Sequence, residues 1–224
     1  MNMNPKQLAG EKAVEFIKEG MTVGLGTGST VYFTVLKLSE HVKTGFKVKA
    51  VCTSVATHKL AVSLDIPVLS MEEVDHIDLT IDGADEIDPD GHGIKGRWGA
   101  LLFEKIVAAN SDQNIWVVDD SKIVSQLGKF PLPVEVIPFG YKQVVNRFVE
   151  LGFNPELRME GKETFKTDSG NFIVHLNMGV IADPVQLDRT IKQIPGVVEH
   201  GLFTGIVNKA IVADKSNIRI IKYR

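Results

Sequence analysis

Five charged side chains able to do chemistry crowd into the stretch from Ile81 to Lys105: Asp82, Asp85, Glu86, Lys95 and Glu104. Asp82, Asp85 and Glu86 lie just past the alternating apolar residues Ile77, Leu79 and Ile81. Carboxylates packed this closely suit proton transfer or hydrogen bonding to ligand hydroxyls. A helix N-cap at Asp82 or Asp85, or a metal site, is the alternative use of such acids. Lys95 follows Gly93-Ile94 and precedes Gly96. A cation there could neutralise a developing oxyanion or pair with Asp82 or Asp85; an exposed loop lysine is the alternative. Glu104 has Leu101, Leu102, Phe103, Ile106 and Val107 around it in sequence. An acid among so many apolar groups is a candidate desolvated general base. A solvated Glu on the polar face of a helix fits the local pattern equally well.

A second group precedes these acids. Gly24-Leu25-Gly26-Thr27-Gly28-Ser29-Thr30 follows a short strand pattern and opens a helical one. Backbone N–H groups and the positive dipole end at a helix N-terminus bind phosphate, and Thr27, Ser29 and Thr30 add hydroxyls. No Lys precedes the Ser/Thr, so this is not a P-loop. Counted from Gly24, the third glycine of a dinucleotide fingerprint falls on Ser29. The next strand ends in Thr53-Ser54, where a ribose-binding acid would be needed. A phosphomonoester is the expected ligand. A plain strand-helix turn is the alternative. Lys122, after Val118-Asp119-Asp120-Ser121, is a second phosphate candidate as a point charge.

Strands and helices must position these residues. The pattern predicts a helix from Asn4-Pro5 to about Gly20, a strand at 22–25, a helix at 30–42 and a strand at 48–52. A helix to about Leu64, a short edge strand at 66–69 and a strand over 77–81 follow. Ala100 to Ala109 reads as a helix and 115–118 as a strand buried on both faces. Strands alternating with helices indicate a doubly wound parallel sheet. The polar clusters at 26–30, 53–54, 82–86 and 119–122 all follow strands, at the edge where open α/β sheets bind ligands. Phe130-Pro131-Leu132-Pro133 excludes a helix and marks a domain crossing. Beyond it come a helix at 141–151, strands at 156–159 and 171–177, a helix at 184–193 and a strand at 197–202. That order suggests a ferredoxin-like α+β domain. Two tail strands, 206–212 and 218–221, return to the first domain. The expected domains are 1–130 with 206–224, and 131–205.

Bulk properties narrow the function. The chain has 224 residues, is 44% hydrophobic and carries a net charge of −3. That balance speaks against nucleic acid or an anionic membrane as partner, since both call for a basic face. No apolar run approaches the ~20 residues of a membrane span. The N-terminus has no signal-peptide core. One cysteine, Cys52, precludes an internal disulfide and fits a reducing, cytoplasmic compartment. It is expected as a small, buried apolar group. The six histidines show no metal-ligand spacing, and no Gly-x-Ser-x-Gly elbow occurs.

Four motifs in order resemble the type A ribose-5-phosphate isomerase family: Gly-Leu-Gly-Thr-Gly-Ser-Thr (24–30), Asp-Gly-Ala-Asp-Glu (82–86), Lys-Gly with Gly-Ala-Leu and Glu-Lys (95–105), and Gly-Lys-Phe-Pro-Leu-Pro-Val-Glu-Val (128–136). The resemblance covers essentially the whole chain. It implies a Rossmann-like domain with a smaller α+β domain that serves oligomerisation. It implies interconversion of D-ribose 5-phosphate and D-ribulose 5-phosphate in the pentose phosphate pathway, with no metal and no other cofactor. Glu104 would shuttle the proton, Asp82 and Asp85 would assist ring opening, and Lys95 would stabilise oxyanion charge. Thr27, Gly28, Ser29, Thr30, Gly83, Ala84, Gly96, Arg97, Trp98 and Lys122 would bind the sugar phosphate. A homodimer is expected, a tetramer being the alternative. A non-catalytic sugar-phosphate sensor and a related sugar-phosphate enzyme on the same fold are the competing readings. One departure stands out: the family runs glycines after the lysine, and this chain has Arg97-Trp98. Either the loop tolerates side chains pointing outward, or Arg97 adds a phosphate contact and Trp98 a lid, or activity is reduced or redirected.

Overall fold

The computed structural model describes residues 4–223. The first elements are α1 (Pro5–Val14), β1 (Thr22–Leu25), α2 (Val31–Lys43), β2 (Lys49–Cys52), α3 (Val55–Ser63) and β3 (Ile77–Asp82). Next come two short strands, β4 (Glu86–Ile87) and β5 (Gly93–Ile94), then α4 (Leu101–Ala109), β6 (Ser111–Asp119) and β7 (Leu132–Val136). After them stand α5 (Tyr141–Glu150), β8 (Pro155–Leu157), β9 (Met159–Glu160), β10 (Glu163–Thr164) and β11 (Phe172–Leu176). The chain closes with α6 (Pro184–Lys192), β12 (Val197–His200), β13 (Leu202–Phe203), β14 (Lys209–Ala213) and β15 (Ile218–Lys222).

These elements form two units. The described residues of the first fall within Met1–Ala84, Phe103–Ile123 and Ile206–Arg224; the second comprises Asp85–Leu102 and Val124–Gly205. The second unit therefore includes 85–102 and 124–130, which the sequence reading assigned to the first domain.

The first unit is an α/β layer around a six-stranded sheet in the order β15-β14-β6-β3-β1-β2. All pairings are parallel except β14 with the terminal β15. Val23, Leu25, Leu79, Ile81, Ile115, Val117 and Ile211 pack with Ala9, Ala13, Val35, Leu38 and Ala61 from the helices. Each fully buried aliphatic side chain contributes about 1.5–3 kcal/mol. Parallel strands bring their C-terminal ends to one edge, so Leu25, Cys52, Asp82 and Asp119 all finish there. α1 ends before Gly20 because its last turn tightens. Glu15, Phe16 and Ile17 donate to Lys12, Ala13 and Val14, three residues back rather than four. The segment 66–69 contributes only an isolated bridge, Val68 with Ala50.

The second unit holds a four-stranded antiparallel sheet, β12-β7-β11-β8. With α5 and α6 it makes a β-α-β-β-α-β sandwich of the ferredoxin-like kind. Val134, Val136, Val174 and Leu176 pack against Val144, Phe148 and Ile191 of the helices. The first strand, β7, was not foreseen, because Pro133 argues against a central strand. Pro133 is the second residue of β7, where only its carbonyl is needed, and that carbonyl accepts the Gly201 N–H at 2.7 Å. The expected strand 197–202 is divided at Gly201 between two sheets, since Leu202–Phe203 pairs with β5. Gly201 is needed at the junction: a Cβ there would lie 2.2 Å from the Lys95 carbonyl oxygen.

Candidate active site

In the first unit the loop after β1 is tied to the end of β3. The Gly26 N–H donates to the Ile81 carbonyl at 2.9 Å. The Thr27 N–H donates to Asp82 Oδ1 at 3.0 Å, and the Gly83 N–H reaches the same oxygen at 2.7 Å. Asp82 is 2% exposed. A Cβ on Gly26 would sit 1.9 Å from that oxygen, so a side chain at 26 and Asp82 in its present place exclude each other. Thr27 Oγ1 hydrogen-bonds Thr53 Oγ1 and Ser54 Oγ at 2.8 Å each, while Ser54 caps α3 and Thr57 Oγ1 donates to the Gly26 carbonyl. Both polar groups of Thr27 thus hold the loop together. At the head of α2 the Tyr32 N–H donates to the Gly28 carbonyl at 3.0 Å and the Phe33 N–H to the Thr30 carbonyl at 3.1 Å, so the loop and the helix start are one hydrogen-bonded unit. Thr30 is buried just before α2. Ser29 Oγ accepts from Lys6 Nζ at 3.0 Å. Lys6 was not singled out in the sequence; only the fold brings α1 to this loop.

Glu104 is 3% exposed in the first turn of α4, and its neighbour Lys105 is also buried. The solvated-helix alternative for Glu104 is therefore removed. A carboxylate there faces the positive end of the helix dipole. Lys122, half-buried, closes the short turn Asp120–Lys122 that Asp119 caps by accepting the Ser121 N–H at 3.1 Å.

In the second unit Asp85 and Glu86 take up different work from Asp82. Glu86, 3% exposed, accepts the Gly128 N–H at 2.7 Å and the Phe130 N–H at 2.5 Å. Its two oxygens anchor segment 128–130. Asp85 accepts from Arg97, through the backbone N–H at 3.0 Å and Nε at 2.8 Å. Lys95 is 2% exposed, with Nζ 5.2 Å from the centre of the Phe203 ring and its N–H donating to Gly201. The exposed-lysine alternative is removed as well. Gly96 and Gly99 take φ of +116° and +77°, whereas Arg97 and Trp98 have no such backbone. The loop thus keeps glycine where the chain turns left-handed and tolerates side chains between. Trp98 is 55% exposed. Burial and the Arg158 charge push the His175 imidazole below its ordinary pKa, with Asp85 and Arg97 among the charges that it feels.

Elsewhere, burial pushes the Cys52 thiol up to about 12, which keeps it protonated and unreactive. His76, Asp78 and Asp112 bring one ligand atom each within 4.8 Å of one another at the opposite, N-terminal end of β3 and β6, in exposed surroundings.

The doubly wound sheet, with its glycine loop and buried acids at the C-terminal edge, defines an α/β enzyme scaffold for a small anionic ligand. Comparison with known proteins narrows this. A family model described as ribose 5-phosphate isomerase A (phosphoriboisomerase A) matches residues 49–217. The ribose-5-phosphate isomerase A of Streptococcus gordonii is 48% identical over 220 residues, 98% of each chain. The solved ribose 5-phosphate isomerase A of Methanocaldococcus jannaschii is 37% identical with a TM-score of 0.93, over 99% of this chain and 100% of that one. A D-ribose-5-phosphate isomerase in complex with phospho-erythronic acid is also 37% identical, with a TM-score of 0.94 over 98% of this chain and 100% of that one. The chain belongs to the ribose-5-phosphate isomerase A family.

Proposed function

We infer that this chain interconverts D-ribose 5-phosphate and D-ribulose 5-phosphate, a step of the pentose phosphate pathway. The observation that carries the inference is Glu104, an acid 3% exposed in the first turn of α4, in a chain related to isomerases over nearly its whole length. Family membership favours turnover over a binding-only sensor.

In the proposed reaction the furanose opens when the anomeric O–H loses its proton and the ring oxygen gains one. Asp82 and Asp85 assist these transfers and hold hydroxyls. Glu104 then removes the proton from C2 of the open aldose, and the electron pair forms the C1–C2 double bond of an enediolate. The buried ammonium of Lys95 neutralises the oxyanion, which carries most of the barrier in low-dielectric surroundings. Glu104 returns the proton to C1, the O2 proton passes to the O1 oxyanion as C2=O forms, and the ketose results. Ser29, Thr30, the backbone of the loop before α2 and Lys122 grip the phosphate. Gly28, Gly83, Ala84 and Gly96 line the sugar through backbone. The complex of a relative with phospho-erythronic acid supports a phosphate ester as ligand.

The proposal extends to a cytoplasmic homodimer, with a tetramer as the alternative. The second unit supports an oligomerisation role through a groove lined by Ile137, Val144, Leu151 and Ile194, beside a Phe139 that is 90% exposed. Light scattering after size exclusion measures the assembly.

The test is conversion of ribose 5-phosphate to ribulose 5-phosphate in EDTA. The wild type is expected to turn over. Glu104→Gln is expected to lower kcat by at least ~10²-fold, the low end for loss of a general base. An inactive wild type, or a variant as fast as the wild type, refutes the assignment.

A further inference from the structure

Arg97 engages both oxygens of one carboxylate. Its Nε donates to Asp85 Oδ1 at 2.8 Å and its backbone N–H to Asp85 Oδ2 at 3.0 Å. The Asp85 side chain is 9% exposed and that of Arg97 46%. The guanidinium lies over the Phe130 ring, 4.3 Å from its centre. Phe130 is itself fixed through its N–H to Glu86. On the other side, Arg158 Nη1 donates to the Arg97 carbonyl at 2.9 Å, with its own guanidinium 3.7 Å over Phe165. Arg97 is thus held at side chain, amide and carbonyl, and it holds Asp85 in turn.

A carboxylate bound at both oxygens cannot rotate about χ1 or χ2 without breaking a charge-assisted hydrogen bond. A half-exposed ion pair adds little to stability, so the value of this clamp lies in geometry. We propose that Arg97 is a positioning residue that sets the rotamer of Asp85 for proton transfer during ring opening. Arg158 acts one step behind it, by fixing the Arg97 carbonyl. Asp85, in this arrangement, meets substrate already oriented, and the loop 96–99 needs no reordering to align it.

This inference rests on the isomerase reading, and the experiment separates the two. The steady-state kcat and KM for ribose 5-phosphate are measured for the wild type, Arg97→Met, Asp85→Asn, the double variant and Arg97→Lys. Arg97→Met keeps the apolar stem over Phe130 and the backbone N–H, but loses the Nε contact. It is expected to lower kcat about fivefold, the ceiling for a half-exposed pair, with KM within about twofold. Asp85→Asn lowers kcat further, and the double variant is no slower than Asp85→Asn alone, because the clamp has nothing left to position. Arg97→Lys recovers part of the loss. An unchanged kcat in Arg97→Met overturns the proposal. So do losses that multiply in the double variant, or a rise in KM alone, which would make Arg97 a substrate contact. A wild type without turnover overturns the isomerase reading and the positioning role together, whereas an active wild type with any of the contrary variant results overturns only the role of Arg97.

Discussion

The two glycine-bearing loops of this chain are built by opposite means. The loop at 24–30 is held mainly by short groups, namely backbone amides, four hydroxyls and one buried carboxylate, joined at Ser29 by the long side chain of Lys6. The loop at 95–99 is held by long charged side chains, one of which, Arg158, comes from 61 residues along the chain. Both loops use a left-handed glycine, Gly28 at φ of +123° in the first, but the first also needs a glycine for clearance. Gly26 clears space for Asp82, which would lie 1.9 Å from a Cβ. Gly96 and Gly99 supply left-handed backbone, at φ of +116° and +77°. A loop made of backbone is fixed by close approach and tolerates no added atom. A loop made of ion pairs is fixed by reach and accepts side chains as large as Arg97 and Trp98.

That contrast predicts unequal costs. Gly26→Ala forces Asp82 or the loop to move and is expected to lose about 3 kcal/mol of stability, the top of the overpacking range. Activity falls with it, because Asp82 loses its place. Urea denaturation and the isomerase assay measure both. Gly99→Ala is expected to cost about 2 kcal/mol, mainly for a left-handed alanine, although the Phe165 ring, 2.5 Å from a Cβ, must also shift. If the two substitutions cost the same, the loops are one device and the contrast fails.

The smallest effect lies outside both loops. Glu135, 1% exposed in β7, accepts from Thr167 Oγ1 at 2.8 Å and Asn171 Nδ2 at 2.9 Å. Burial raises its pKa above the ordinary carboxylate value, against those two hydrogen bonds. Its charged form is therefore disfavoured in the fold. The resulting cost sets in as pH rises past the unfolded value and is complete above the folded one. Glu135→Gln keeps the acceptor and cannot ionise. It should melt higher than the wild type at pH 7, with the gap closing as pH falls toward 4.5, and with kcat unchanged. A gap that widens in acid contradicts this sign.

Much of the scaffold is legible before folding. Apolar periodicity marks β1, β3, α2, α5 and α6, since each buries one stripe or both faces and so repeats at its own period. The tightened end of α1, β7 with its proline, and the two-residue strands β4, β5 and β13 are not legible. Two residues carry no period, and their pairing is settled by partners far along the chain: Leu202 with Ile94, and Gly201 with Pro133. The same limit applies at the site. That 82–86 is acidic is plain; that Asp82 serves a loop, Asp85 an arginine and Glu86 two amides is not. Nor does any local signal bring Lys6 to Ser29.

Residue types and their order were enough to specify an α/β scaffold, a glycine-rich loop at a helix head and an acid in an apolar helix, because these depend on neighbours within a turn or a strand. Burial of Lys95 and Glu104, the division of labour among three adjacent carboxylates and the compatibility of Arg97-Trp98 with the loop were set by packing. Each depends on hydrogen bonds and excluded volume between segments that only the folded chain brings within reach.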